Sequence, residues 1–207
     1  MPNPRSTYAG IATGAILLAG VVGFGVGLPE VVGDGSAETP ALPDQIAGYT
    51  ALSQVTAEDA GVTSDEDKAA LEEFLASAEK QDEEAAEALG EEYGDASVRA
   101  YVDAAGMANA AQTGGTGQFS VTVLPGEETG PVFSGGPYQA DTYRLQTIDG
   151  HRCSVAWQSS TPGAEPTDLD YQVECRAAEG GLVYDVYSIG IAPEKAADIL
   201  TELIETT

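Results

Sequence analysis

The hydrophobic pattern of the chain begins with an unbroken apolar stretch near the N-terminus. Residues 9–28 read AGIATGAILLAGVVGFGVGL, and no charged residue occurs between Ser6 and Pro29. A helix of about 20 residues rises about 30 Å, which matches the hydrocarbon core of a bilayer. Arg5 precedes the stretch and acidic residues follow it, so the positive-inside rule places the N-terminus in the cytoplasm and the remainder outside. We therefore predict a single-pass membrane anchor within residues 1–29.

A cleaved signal peptide is the alternative interpretation of this stretch. Gly35-Ser36-Ala37 supplies small residues that a signal peptidase accepts, and cleavage there would give a secreted chain that begins near Glu38. A signal core usually has about 7–15 apolar residues, and this stretch is longer. No cysteine directly follows it that could carry a lipid anchor. Both interpretations place the bulk of the chain outside the cytoplasm.

Residues 30–63 are rich in glycine, proline, alanine and acidic side chains, a composition typical of a linker. Within them, residues 42–49 read LPDQIAGY and are more apolar than their neighbours. This segment either packs on the folded domain or belongs to the linker, and the pattern leaves both open. The folded domain is expected over residues 64–207.

A long amphipathic helix is predicted to begin after Ser64. Ser64 is suited to the N-cap, and the acidic residues that follow it favour the positive end of the helix dipole. Apolar residues recur at spacings of three, four and seven, as a stripe formed by Leu71, Phe74, Leu75, Ala78, Ala85 and Leu89. Gly90 or Gly94 is expected to end the helix. We interpret its acidic surface as solvated, and a cation-binding or partner-binding surface is the alternative.

The period changes to two after this helix. Alternation predicts strands over residues 98–103, 119–125, 143–148, 152–157, 171–177 and 182–189. Asp149-Gly150 and Glu179-Gly180-Gly181 are expected to form hairpin turns, and Pro193 to begin a C-terminal helix. The order of elements predicts an α+β fold, in which an antiparallel sheet of about five to six strands packs with two helices that cover one of its faces.

The chain has two cysteines, Cys153 and Cys175, and both lie in predicted strands. An even number of cysteines in an exported domain indicates a structural disulfide. The alternative is a redox pair, but catalytic pairs usually have a close spacing such as C-x-x-C. We therefore predict one disulfide between Cys153 and Cys175.

The charge balance excludes one class of partner. The chain has 34 acidic and 8 basic residues, with a formal net charge of -26. Such a surface repels phosphate backbones, so we expect no nucleic-acid binding.

Residues with catalytic potential are few or poorly arranged. The single histidine, His151, is expected in a hairpin turn at the surface. Glu174 and Asp185 lie inside predicted strands, but their alternation with apolar neighbours predicts that they face solvent, where a general acid gains no raised pKa. No G-x-S-x-G sequence occurs, and the loop at residues 114–117 lacks the lysine of a phosphate-binding loop. We therefore predict no catalytic residue and no cofactor.

Acidic clusters and aromatic residues also have binding potential. The acidic clusters at residues 65–67 and 168–170 do not fit an EF-hand, so we predict no metal site. Tyr184 and Tyr187 have opposite parity in one strand, so at most one of them belongs to the core. Aromatic residues of this sheet are expected to pack in it, and a ligand-binding surface is the alternative.

The layout resembles a family of small actinobacterial membrane-anchored or secreted proteins of unknown function. The features that carry the resemblance are the uncharged N-terminal span, LPDQIAGY at residues 42–49, EYGD at 92–95 and VECRA at 173–177 before a helix that begins with proline. The resemblance implies an envelope location and this domain plan, and it transfers no functional residue.

The sequence therefore predicts a membrane-anchored extracytoplasmic binding or sensing domain, not an enzyme, with an unknown ligand and an envelope protein as a possible partner. The alternatives are an exported hydrolase with an unrecognised carboxylate site and a structural envelope protein without a ligand.

Overall fold

The computed structural model describes residues 37–109, 115–130, 142–158 and 164–207. The predicted anchor within residues 1–29 lies outside the described residues. None of the helices in the described ranges combines the length and the apolar character needed to cross a bilayer.

One antiparallel sheet of 8 strands forms the centre of the fold. The strands are β1 (Gln45–Ile46), β2 (Tyr49–Ala51), β3 (Ser97–Val102), β4 (Gln118–Pro125), β5 (Tyr143–Ile148), β6 (His151–Trp157), β7 (Tyr171–Glu179) and β8 (Leu182–Ile189). Their order across the sheet is β1-β2-β3-β4-β8-β7-β6-β5. Each half of the chain thus forms a meander, and the two meanders join where β4 pairs with β8.

The helices are α1 (Asp65–Tyr93), α2 (Ala104–Met107) and α3 (Pro193–Thr206), with short 3-10 turns at Leu52–Gln54 and Asp168–Asp170. The predicted α+β class, antiparallel sheet and two long helices are confirmed. The predicted strand number is wrong, because the count of about five to six omits β1 and β2, which have only 2 and 3 residues. A run that short shows no readable alternation.

The ends of α1 follow from local chemistry. The Ser64 hydroxyl accepts a hydrogen bond from the Asp67 N–H at 3.1 Å, which satisfies one of the free donors of the first turn. Gly94 ends the helix with a φ of 102°, a conformation that a residue with a Cβ rarely adopts. The predicted cap is confirmed, and Gly94 rather than Gly90 is the terminator.

The Asp149-Gly150 turn follows its predicted chemistry, whereas Glu179 of the predicted Glu179-Gly180-Gly181 turn belongs to β7. Asp149 and Gly150 have φ values of 48° and 90°, as a two-residue turn between twisted strands requires. The turn sets the register of β5 on β6, in which Ile148 lies opposite His151.

The two long helices lie on opposite faces of the sheet. On one face, Ala78 of α1 packs with Ala100 and Val102 of β3. On the other, α3 packs on a core that includes Tyr101 and Val121. Ala100 and Tyr101 are consecutive in one strand, so their side chains point to opposite faces. The expectation that both helices cover one face is therefore wrong, because β3 is buried on both of its faces.

The segment at residues 42–49 packs on the domain. Leu42 and Ile46 are buried in the main core. Arg99 of β3 donates a hydrogen bond to the Leu42 carbonyl at 2.6 Å, and the Tyr101 hydroxyl donates to the Pro43 carbonyl at 2.7 Å. Of the two possibilities that the sequence leaves open, the structure shows the packed one, and the folded unit begins before Ser64.

Candidate functional site

The face of the sheet opposite α3 carries a band of polar side chains across its central strands. One row of the register crosses β6, β7, β8 and β4, and it contains Ser154, Glu174, Tyr187 and Ser120. The next row contains Arg152, Arg176, Asp185 and Thr122. Four of these residues are buried: Ser120 at 5%, Ser154 at 0%, Glu174 at 4% and Arg176 at 7% exposure. Buried polar residues in a sheet need specific partners.

Arg176 is the centre of this band. Its Nη2 lies 2.6 Å from Glu174 Oε1, and its Nε donates to Asp185 Oδ2. Burial, the largest single influence, lowers the pKa of Arg176, but the charges and hydrogen bonds of Asp185 and Glu174 together outweigh it, so the pKa is raised above its usual value. The guanidinium thus stays charged between two carboxylates.

The prediction that Glu174 and Asp185 face solvent is wrong for Glu174, which is 4% exposed, and Asp185 is only partly exposed. Alternation assigns side chains to two faces, but it does not say whether the second face is covered. The pairing itself could have been found from the sequence, since a turn at Gly180-Gly181 places Arg176 opposite Asp185.

This arrangement does not favour acid–base chemistry. A carboxylic acid catalyst needs an environment that favours its protonated form, whereas a neighbouring guanidinium favours the ionised form. One oxygen of each carboxylate is also engaged by Arg176. We infer that Glu174, Arg176 and Asp185 act as a structural charge cluster.

Tyr187 and Tyr184 lie on opposite faces. The Tyr187 hydroxyl accepts a hydrogen bond from Gln172 Nε2 on the polar face. Tyr184 is 5% exposed and belongs to the core under α3. The prediction from parity is confirmed.

The disulfide lies on the face covered by α3. Cys153 and Cys175 are direct partners in the register of β6 and β7, with a Cα–Cα distance of 4.1 Å, and their sulfurs are bonded. Both are buried beside Val155, Val173 and Val186. The predicted Cys153–Cys175 disulfide is confirmed, and its buried position suits a structural bond rather than an exchanging one.

His151 connects the sheet to α3. Its Nε2 lies 2.9 Å from Thr201 Oγ1, and that hydroxyl donates to the Ala197 carbonyl at 3.1 Å. Because the Thr201 hydroxyl donates its proton to the Ala197 carbonyl, it accepts in its contact with His151. His151 Nε2 is therefore the donor of the hydrogen bond between His151 and Thr201. The imidazole therefore links β6 to the last turns of α3.

In each of the acidic clusters at residues 65–67 and 168–170, one aspartate takes part in helix capping. Asp67 accepts from the Ser64 hydroxyl at 2.6 Å, and Asp170 accepts from the Thr167 N–H at 2.7 Å. In the described ranges, no group of three His, Cys, Asp or Glu side chains is arranged to hold a metal ion.

A half-buried carboxylate that the sequence did not predict lies between α1 and β3. Asp82 Oδ2 accepts a hydrogen bond from the Ala100 N–H at 3.1 Å. Burial raises the pKa of Asp82 to about 6, against the opposing effects of that hydrogen bond and of Arg99, with a smaller raising effect from Glu79. The sequence does indicate that Asp82 faces the sheet, because Asp82 lies four residues after Ala78, at a position of the apolar stripe of α1.

We expect Asp82→Asn to stabilise the protein at neutral pH. The folded-state pKa lies above the unfolded value, so the ionised carboxylate costs stability as pH rises through about 4 to 6. The shift corresponds to about 3 kcal/mol, and partial exposure reduces the expected gain at pH 7 to about 1–2 kcal/mol. Asparagine retains an oxygen that can accept from Ala100.

Urea unfolding of both proteins between pH 4 and pH 8 tests this. The gain should be near zero at pH 4 and increase toward pH 7. Glu83→Gln, on the exposed side of the same helix, is the matched control and should show no such rise. A gain independent of pH would contradict the assignment to Asp82 ionisation.

No protein-family model, no curated protein and no solved structure matches the chain. The resemblance to actinobacterial envelope proteins therefore stays a prediction that rests on the sequence.

Proposed function

We propose that the chain is a binding or sensing domain held outside the cytoplasm by its apolar N-terminal stretch. The observation that carries the location is the buried disulfide between β6 and β7, because such bonds form and persist in oxidising compartments. The uncharged residues 9–28, with Arg5 before them and acidic residues after them, supply the anchor and its orientation.

Binding is favoured over hydrolysis by the state of the candidate catalytic groups. Glu174 and Asp185 are ion-paired with Arg176, and His151 is hydrogen-bonded to Thr201. An enzyme built on these residues would have to break its own structural contacts to react.

The burial of the aromatic side chains argues against a flat aromatic binding surface. Every Tyr, Trp and Phe in the described part of the chain is buried or half-buried. Recognition is therefore better assigned to another exposed feature of the sheet.

We expect the full-length chain to fractionate with membranes and to be digested by protease added outside intact cells. Leu17→Arg combined with Leu18→Arg should abolish both the membrane fractionation and the digestion from outside, since each charge at the centre of a spanning helix costs about 2.5–3.5 kcal/mol. Leu17→Val with Leu18→Val is the matched control and should behave like the unaltered protein. A soluble product that begins near Glu38 would show secretion instead, and a cytoplasmic chain with free thiols would overturn the proposal.

A further inference from the structure

Among the described residues, strand β5 is an edge of the sheet with no strand on its outer side. It pairs with β6 on one side and is the last strand in the sheet order. Residues 144–147 are exposed, and Leu145 has 65% of its surface accessible, the highest value among the large apolar side chains in the described ranges. An edge strand presents a row of N–H and C=O groups to which another strand can add.

This edge lacks most of the features that usually protect edge strands, and Arg144 is its one charged side chain. Proteins shorten such strands or place proline, lysine or a bulge in them. β5 has 6 residues, contains neither proline nor lysine, and pairs with β6 in an unbroken register. The opposite edge, β1, has only 2 residues.

The charge of the edge is opposite to that of the whole protein. Neither β5 nor β6 contains an acidic residue, whereas the chain has 34 acids and 8 bases. Arg144 and Arg152 are exposed, and neither takes part in an ion pair among the described residues. Arg144 lies over the Trp157 ring at 5.1 Å, a contact that fixes its position at the edge.

The register defines what an added strand would meet. Arg152 lies opposite Thr147 and thus shares a face with Leu145, while Arg144 projects to the other face. A segment that runs antiparallel to β5 would need an acid opposite Thr147, an apolar residue opposite Leu145 and an acid opposite Arg144.

We propose that β5 binds an extended acidic segment of a partner protein by strand addition. This inference rests on the proposed binding function and names the chemistry of its partner. Main-chain hydrogen bonds would supply affinity, and Arg144, Leu145 and Arg152 would supply specificity.

Charge argues for this occupant over a second copy of the chain. Antiparallel pairing of two whole β5 strands would place Arg144 of each copy opposite Thr147 of the other, so neither arginine would meet an acid. The acidic helix α1 packs on β3, five strands away, a distance of about 24 Å at the usual strand spacing. Salt screens interactions beyond about 8 Å under physiological conditions, so the acids of α1 have little effect at this edge.

The probe is a fluorescein-labelled peptide, Thr-Glu-Val-Leu-Glu-Val-Thr, with Thr-Lys-Val-Leu-Lys-Val-Thr as its charge-reversed counterpart. Fluorescence anisotropy with the full-length protein in detergent should show the acidic peptide binding about tenfold more tightly. Hydrogen exchange of the β5 amides should slow when the acidic peptide is bound, which electrostatic attraction without strand addition would not produce.

Arg144→Glu combined with Arg152→Glu should weaken binding of the acidic peptide at least about tenfold. Lys68→Glu combined with Lys80→Glu, on α1, makes the same change in net charge and should leave binding nearly unchanged. Leu145→Lys should weaken binding, whereas Leu169→Lys, at a 40% exposed leucine outside the edge, should not. Thermal unfolding of each variant verifies its fold.

Equal effects of the two double variants, or unchanged β5 amide exchange, would overturn the inference. So would dimerisation of the protein alone that Leu145→Lys abolishes, because the occupant would then be a second copy. A disulfide-bonded domain outside the membrane that binds neither peptide would refute strand addition and leave the proposed function standing.

Discussion

Arg176→Met is expected to destabilise the protein by about 3–5 kcal/mol, the usual cost of removing one partner from a buried ion pair. Arg176 is 7% exposed and lies between two carboxylates, of which Glu174 is 4% exposed. Without the guanidinium, both carboxylates lose their counter-charge in a site that water reaches poorly. Urea unfolding at pH 7 measures the loss.

Arg152→Met is the matched control for this change. Arg152 is adjacent to Arg176 in the register, but it is exposed, so its loss should cost less than about 0.5 kcal/mol. Adding Glu174→Gln and Asp185→Asn to Arg176→Met should recover part of the stability, because no uncompensated charge then remains. The loss in the single variant should also shrink as pH falls, since protonation of the carboxylates removes the same charge. Equal losses for Arg176→Met and Arg152→Met would show that the cluster is not an electrostatic unit.

The cluster also shows what local patterns can predict. The turn at Gly180-Gly181 fixes the register of β7 and β8, and that register alone places Arg176 beside Asp185. The burial of the pair depends on long-range packing, which alternation does not encode. The pairing of Arg176 with Asp185 can therefore be predicted from the sequence, whereas the burial of the pair cannot.

The same distinction between local pattern and long-range packing explains which strands can be predicted from the sequence. β3 to β8 were predictable because period two and turn residues act over a few neighbours. β1 and β2 have 2 and 3 residues, and β2 is held by its pairing with the distant strand β3. One long-range feature did leave a signal. Ala100-Tyr101-Val102 is a continuous apolar run, typical of a strand buried on both faces, which is how α1 and α3 come to lie on opposite sides.

Loss of the Cys153–Cys175 disulfide is expected to lower the free energy of unfolding by about 3 kcal/mol. The cysteines are 22 residues apart, and in the chain-entropy model the bond stabilises the fold by restricting the unfolded state. The native fold should persist after reduction, because the same residues are already held opposite each other by the pairing of β6 and β7. Exported protein should be lighter by two hydrogens than the dithiol, and free thiols there would contradict the bond.

The chain-entropy model predicts a change in the urea m-value as well as in the midpoint of urea unfolding. An unfolded chain without the cross-link is less compact, so Cys153→Ala with Cys175→Ala should raise the urea m-value while lowering the midpoint. Val155→Ala with Val173→Ala, the adjacent register pair on the same face, removes apolar volume without removing a cross-link. It should therefore lower the midpoint with the m-value unchanged. If both double variants change only the midpoint, the disulfide stabilises chiefly through packing under α3, and the chain-entropy account is wrong for this protein.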